Sequence, residues 1–282
     1  NLLTNMQKEA IRIAHTNRIA LLAGYAGSGK TTSLRGICDI ADALGHRVHL
    51  MALSGRAAQR MSISTGRPSR TIASFLQAVT GADGASIAPG AMVIIDEASM
   101  LDLPTLWRIM KVLGDANLLL VGDPAQLPPI GFGLTFHILC EAERVPSVVL
   151  DRVMRQSVET GIPAVAEAVR NGQDPLMTPF AGLSTGVSFV DCSSDEAFDT
   201  ITDVGRQLKA DGAELGETQI IAPVKSRPAG IEAINRRFHQ ARQSATEGDY
   251  FPGRRDLAAG DPIMWTQNDW ERELMNGSLG RL

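Results

Sequence analysis

Cysteine is scarce in this 282-residue chain, and the three that occur, Cys38, Cys140 and Cys192, lie far apart. They offer no ligand-like spacing, which argues against a zinc site or a disulfide framework and for a reducing, cytoplasmic compartment. No apolar run approaches the roughly 20 residues that span a bilayer, and no signal-peptide pattern opens the chain, so no membrane contact is expected. An excess of either charge is lacking too. The 27 Lys and Arg against 31 Asp and Glu leave a net charge of −4. That does not announce a nucleic-acid binder, although whole-chain charge can hide a local basic groove. Internal repeats and low-complexity tracts are missing. So is an initiator methionine: the chain opens at Asn1 and stops at Leu282 without a polar tail, which reads as a piece of a longer polypeptide with other domains. With 44% hydrophobic residues it can bury a full core, and its length favours two domains.

What is present is concentrated first in residues 19–32. The apolar run 19–23 reads as a buried parallel strand that breaks at Gly24, and a helix resumes from about Lys30. Gly24, Gly29, Lys30 and Thr31 fit G-x-x-x-x-G-K-[ST], with Ala26, Gly27 and Ser28 inside the loop and Thr32 just after it. Glycines let the backbone wrap a polyphosphate closely, and successive N–H groups converge on its oxygens at a helix N-terminus. Lys30 can reach the β- and γ-phosphates, and the Thr31 hydroxyl can ligate Mg²⁺. A glycine-rich turn matching by chance would seldom have this strand before it and this helix after it.

Ahead of the loop, residues 3–7 begin a helical pattern with Thr4 or Asn5 as N-cap, and Gln7 reads on its own as a surface helix residue. A helix over 32–44 ends at Gly45, and residues 48–53 form the next strand. Strand, loop, helix, strand is a βαβ unit, so the sheet is parallel and ligands sit at its carboxyl edge. Ser54, Gly55, Arg56 and Arg60 follow that second strand at the same edge. Residues 43–82 contain no acid, yet carry Arg47, Arg56, Arg60, Arg67 and Arg70. Such a run is either a solvated face or a contact surface for a phosphate backbone. Thr71 and Phe75 come next, Phe75 being more often a core residue than a base-stacking platform.

Residues 81–90 read as a loop, and 91–95 as a second buried strand ending in Asp96 and Glu97. Here Asp96 can hold Mg²⁺ and Glu97 can orient and deprotonate an attacking water. Two acids capping an apolar strand could be merely solubilising, but the upstream phosphate loop favours nucleotide hydrolysis. A helix over 104–113 and a third strand over 117–122 lead into Asp123, Gln126 and two prolines. Beyond a strand end, Gln126 can sense a γ-phosphate, unless this is an ordinary turn rich in Asp and Pro. A short strand at 148–150 precedes Arg155. Composition loosens through 171–187, marking a domain boundary. Further strands are expected at 219–222 and 260–265, a helix at 229–242 and a turn at 274–277. Residues 218–246 hold one acid, Glu232, against Lys225 and four arginines, a second basic segment.

Taken in order, these pieces resemble the RecD-like helicases of superfamily 1, which share features with conjugative relaxase-helicases and phage helicases. The matching residues are Leu3, Thr4 and Gln7, the phosphate loop, Ala52 to Ala58, Asp96-Glu97-Ala-Ser-Met100, Gly122-Asp-x-x-Gln-Leu-Pro-Pro-Ile130, and Arg155 with Gln156. Ala222, Pro223 and the Asn276-Gly277-x-x-Gly280 turn resemble the family's second domain. The resemblance implies an α/β fold: a P-loop NTPase with a RecA-like parallel sheet and helices on both faces over 1–155, plus a second, C-terminally incomplete RecA-like domain over 156–282. It implies an ATP-dependent DNA helicase or translocase using Mg²⁺-ATP to move 5′ to 3′ on single-stranded DNA. Gln7 would contact adenine, Gln126 would couple γ-phosphate to the DNA site, and Arg155 would contact γ-phosphate from the facing side. Ser54, Gly55, Arg56 and Thr71, with Arg60, Pro223 and Lys225, would hold the DNA backbone. The family's late motifs, a Gln-Gly DNA contact and an ATP-site arginine, do not occur before Leu282. An alternative for this piece is therefore a nucleotide-gated single-stranded DNA-binding module without motor activity.

Overall fold

The computed structural model describes residues 3–25, 27–81, 87–150, 160–184, 186–214, 216, 218–245, 250–251, 254–258, 260–267, 269, 272, 274 and 276–282. The chain divides into two compact units, Asn1–Arg155 with Met264–Ser278, and Gln156–Ile263 with Leu279–Leu282.

The first unit is built on six strands: β1 (Ile19–Gly24), β2 (Val48–Ala52), β3 (Ser69–Thr71), β4 (Met92–Asp96), β5 (Asn117–Gly122) and β6 (Ser147–Leu150). They form one sheet in the order β3-β2-β4-β5-β1-β6, and every pairing is parallel. The central strands are apolar at successive positions because both faces are covered. In β1 and β5 the side chains sort by parity. Leu22, Leu119 and Val121 pack with Ile11 and Ala14 of α1 (Asn5–Thr16), Leu34 and Ile37 of α2 (Lys30–Ala43), and Ala58 and Met61 of α3 (Gly55–Thr65). On the opposite face, Leu21, Leu118 and Leu120 join Phe75 and Leu76 of α4 (Ile72–Thr80), Ile109 of α5 (Leu103–Val112) and Phe136 of α6 (Thr135–Glu141). Each such fully buried side chain contributes roughly 1.5–3 kcal/mol relative to exposure. Phe75 is 1% exposed, a core residue and not a stacking platform.

Local signals fix the helix starts. Thr4 caps α1 and forms a capping box with Gln7, Ser54 caps α3 through Ala57, Thr71 caps α4 through Ser74, and Asp102 caps α5 through Thr105. Helix α2 differs: its N-cap is Gly29, at φ 93°, with no side-chain acceptor. Its first N–H groups are therefore left for something else.

In the second unit the helices are α7 (Ile162–Arg170), α8 (Ala197–Ala210) and α9 (Ile231–Ala245). Its strands among the described residues pair only two by two: β7 (Thr178–Pro179) with β8 (Ser188–Phe189), β9 (Tyr250–Phe251) with β10 (Arg254–Ala258), and β11 (Pro262–Met264) with β12 (Leu279–Arg281). The strand expected at 219–222 does not form. No ladder partner lies beside it among the described residues, and Ile221 is 84% exposed. Residues 264–278, which a linear division puts in the second domain, pack with the first unit instead.

Candidate active site

Sheet register brings the chemistry to one edge. Ala52 pairs with Asp96 across β2 and β4, while Ala23 pairs with Gly122 across β1 and β5. The residues that follow each strand therefore emerge together: the phosphate loop after β1, α3 after β2, Asp96 and Glu97 at the end of β4, and Asp123 after β5. This is the carboxyl edge, where parallel α/β sheets bind ligands.

At the phosphate loop, the Lys30 ammonium donates to the carbonyls of Gly24 at 2.5 Å and Tyr25 at 3.1 Å. Burial pushes its pKa below the usual lysine range, and the charges of Asp123, Asp96 and Glu97 pull it back. Gly29 has no room for a side chain. A Cβ there would meet the Gln7 amide nitrogen at 2.6 Å, and the φ of 93° disfavours one in any case. Thr31 and Thr32 are exposed in the uncapped first turn of α2. Ser28 is buried, with no hydrogen-bond partner for its hydroxyl among the described residues. Ala26 lies outside the described residues.

Gln7 is not a surface residue. It is 5% exposed, its Oε1 accepts from the Thr4 amide at 2.9 Å, and its Nε2 approaches the Gly29 carbonyl at 3.4 Å. It thus braces the last residue of the phosphate loop against α1.

Asp96 and Glu97 differ in surroundings. Burial raises the Asp96 pKa above the ordinary carboxylate range, and the adjacent Glu97 charge adds to that. The Glu97 amide, Lys30 and Arg60 oppose it. Glu97 stands at φ 55°, ψ 37°, the one left-handed non-glycine among the described residues. A backbone in this region costs about 1–3 kcal/mol and persists where the surroundings impose it, often at functional sites. Two residues after it, Ser99 is fully buried, its hydroxyl without a hydrogen-bond partner among the described residues.

Asp123 joins the site, a residue that the sequence offers only within the Gly122-Asp-x-x-Gln match and with no role of its own. It is 4% exposed, its Oδ1 accepts from the Ala125 amide at 3.0 Å, and its charge heads those acting on Lys30. It lies within the Gly122 to Ile130 stretch, where Asp before Pro reads equally well as a turn. Gln126 hangs on it, donating from Nε2 to Oδ2 at 3.3 Å. Arg155 falls outside the described residues, so its expected place opposite γ-phosphate has no geometry here.

The residues expected to hold DNA are only partly brought together. Ser54 and Thr71 commit their hydroxyls to helix caps, accepting from Ala57 and Ser74 at 3.2 Å each, and Gly55 and Thr71 are buried. Arg56 and Arg60 are exposed on consecutive turns of α3, and the Arg60 charge reaches Asp96. Pro223 and Lys225 are exposed in the second unit. A hydroxyl, a carboxylate, an ammonium and an uncapped helix N-terminus suit a Mg²⁺-polyphosphate. Thr31 and Asp96 are the residues that would hold the metal.

The comparisons agree with this geometry. A family model described as AAA domain matches residues 2–184. The ATP-dependent RecD2 DNA helicase of Deinococcus radiodurans is 31% identical over 271 residues, covering 94% of this chain and 36% of that protein. Conjugal transfer protein TraA of Rhizobium radiobacter is 27% identical over 99% of this chain and 25% of its own length. Among solved structures, Bacteroides Pif1 bound to ssDNA aligns with a TM-score of 0.53 at 20% identity, covering 100% of this chain and 69% of that one, a likeness of fold. The chain thus spans about a quarter to a third of these two curated relatives. Among the described residues, no helix is long and apolar enough to cross a membrane. Sheet, phosphate loop and sequence match agree: the chain belongs to the AAA domain family and is homologous to the RecD-like helicases.

Proposed function

We propose that this chain is the motor core of an ATP-dependent DNA helicase, hydrolysing Mg²⁺-ATP to move 5′ to 3′ along single-stranded DNA. The hydrolytic part rests on one observation. Glu97 is held in a strained left-handed backbone between the carboxylate of Asp96 and the buried Ser99, at the edge where Lys30 closes on its own loop. A residue kept there for solubility would carry that strain to no purpose. Nucleic-acid binding rests on the α3 arginines and on the homologous helicases, Pif1 having been captured on ssDNA.

In this reading the amides that open α2 take phosphate oxygens, and Lys30 leaves the Gly24 and Tyr25 carbonyls for the β- and γ-phosphates. Thr31 and Asp96 would hold Mg²⁺, which would supply neutralising charge at those oxygens. Glu97 accepts the proton of the attacking water. Asp123, with Asp96 and Glu97, opposes the lowering of the Lys30 pKa by burial, and Gln126, bonded to Asp123, carries the state of the γ-phosphate toward the loop beyond.

The deciding experiment is ATP hydrolysis with and without single-stranded DNA, in the parent and in Lys30→Ala. DNA-stimulated turnover that Lys30→Ala abolishes supports the motor. Nucleotide-dependent DNA binding without turnover would replace it with a nucleotide-gated binding module.

A further inference from the structure

We infer that the Gly277 carbonyl positions Arg56, holding its guanidinium so that the remaining donors meet a nucleic-acid phosphate at the start of α3; this rests on the nucleic-acid binding proposed for the chain. Residues 264–278 belong to the first unit, and their described members pair as a hairpin. Asp269 and Leu274 exchange both backbone hydrogen bonds, at 2.7 and 3.0 Å. Nearer the base of the hairpin, Trp265 donates to the Ser278 carbonyl at 2.8 Å and accepts from the Gly277 amide at 2.7 Å. Two residues thus oppose one, with a glycine at φ 90° in the first position. This is a β-bulge, a device that bends a strand and re-aims what it carries.

What the bulge aims is a carbonyl. Arg56 donates from Nη1 to the Gly277 oxygen at 3.0 Å. A Cβ on Gly277 would lie 3.1 Å from Arg56 Cδ, so the glycine also lies along the arginine stem. Arg56 has no carboxylate partner among the described residues, whereas Arg67 is paired with both Asp39 and Asp42. A neutral carbonyl uses one of five donors and leaves the full charge in place. It therefore orients without neutralising. A free arginine arm loses rotamer freedom when a phosphate fixes it, and an arm already held loses less. Gly277 serves twice: its left-handed backbone favours glycine, and a Cβ there would crowd the arginine stem.

The test is a double-mutant cycle on the full chain, reading affinity for a fluorescent oligothymidylate by anisotropy. The proteins are the parent, Arg56→Ala, Gly277→Ala and the double variant. Gly277→Ala should weaken binding roughly 3- to 10-fold in the parent and have no further effect when Arg56 is already alanine. Gly277→Asn, which tolerates a left-handed backbone better, guards against a collapsed hairpin. At an unchanged melting temperature it should show the same non-additivity. Additive losses, or unaltered affinity in both Gly277 variants, would overturn the positioning role while leaving DNA binding intact. Failure of the parent to bind the oligonucleotide would overturn the proposed nucleic-acid binding and this inference together.

Discussion

The Glu97 amide donates to Asp96 Oδ1 at 3.0 Å, tying the two acids at the end of β4 through the main chain while Glu97 stands at φ 55°. Asp96, the last residue of β4, is thereby held by a backbone donor, and Glu97 follows it in left-handed backbone. Both carboxylates are half-buried; in the proposed mechanism Asp96 would hold the metal and Glu97 would orient the water.

That geometry separates stability from activity. Glu97→Gly relieves a backbone whose left-handed placement costs roughly 1–2 kcal/mol for a side-chain-bearing residue, offset by the greater chain entropy of glycine. Its melting temperature should equal or exceed the parent's. Turnover should fall by about 10²–10⁴-fold, as for loss of a general base. Glu97→Gln should bind nucleotide normally with a similar loss of turnover. Calorimetric melting beside steady-state ATP hydrolysis checks both; parent-like turnover in Glu97→Gln would remove the assignment.

The arginines of α3 should announce themselves through salt. Each DNA phosphate that an arginine no longer neutralises should reduce the slope of log affinity against log salt by roughly 0.7 for a single strand. Charge removal at Arg56 and Arg60 should flatten that slope, with little sequence preference in parent or variant. An unchanged slope in a folded double mutant would return this segment to a solvated face.

Acid should destabilise the first unit through two half-buried imidazoles. Burial lowers the pKa of His49, with Arg70 and Arg47 adding to it, and burial also lowers that of His15. The unfolded chain then binds more protons, so their contribution is complete above about pH 6.5 and is lost as pH falls below it. His49 Nε2 is buried without a hydrogen-bond partner among the described residues, and the ring meets Phe75 edge-on at 5.4 Å. His49→Phe should therefore raise the melting temperature more at pH 5.5 than at pH 8. An equal shift at both values would exclude protonation of His49 as the cause.

Most of the first unit is legible in the sequence because its signals are local. The β1 apolar run, the glycines before Lys30 and the acids after β4 each lie within a few residues of the chemistry they serve. Gln7 has the pattern of a surface residue, because its burial depends on Gly29, 22 positions away. The short β3 is invisible to pattern: Ser69, Arg70 and Thr71 do not look like a strand and are held by pairing with β2. Residues 219–222 fail in the opposite direction. An apolar pair beside a proline reads as a strand, but no described neighbour supplies the ladder. Nor can spacing reveal that Gly277 meets Arg56, since 221 residues separate them.

Coupling between nucleotide and DNA should run through Asp123. Gln126 donates its side-chain amide to Asp123 Oδ2 at 3.3 Å and its backbone amide to the Asp123 carbonyl at 3.1 Å. Asp123 in turn supplies the leading carboxylate charge acting on Lys30. Beyond Gln126 the chain turns outward: Leu127 is 73% exposed and Ile130 99% exposed, on either side of two stiff prolines. A shift at Lys30 can thus pass through two side chains to a rigid exposed segment. Removing Gln126 breaks only the outer link, whereas Asp123→Asn removes the largest of the three carboxylate charges that act on Lys30. Gln126→Ala should keep nucleotide affinity within about 3-fold, because the part-buried bond it loses is to Asp123 and not to the phosphate loop. It should lose most of the stimulation of ATP hydrolysis by single-stranded DNA. Asp123→Asn should weaken nucleotide binding whether or not DNA is present. ATPase rates across a DNA titration, with nucleotide affinity measured separately, distinguish the two. Equal fold-stimulation in Gln126→Ala and the parent would sink the coupling role, because the outer link would then carry nothing.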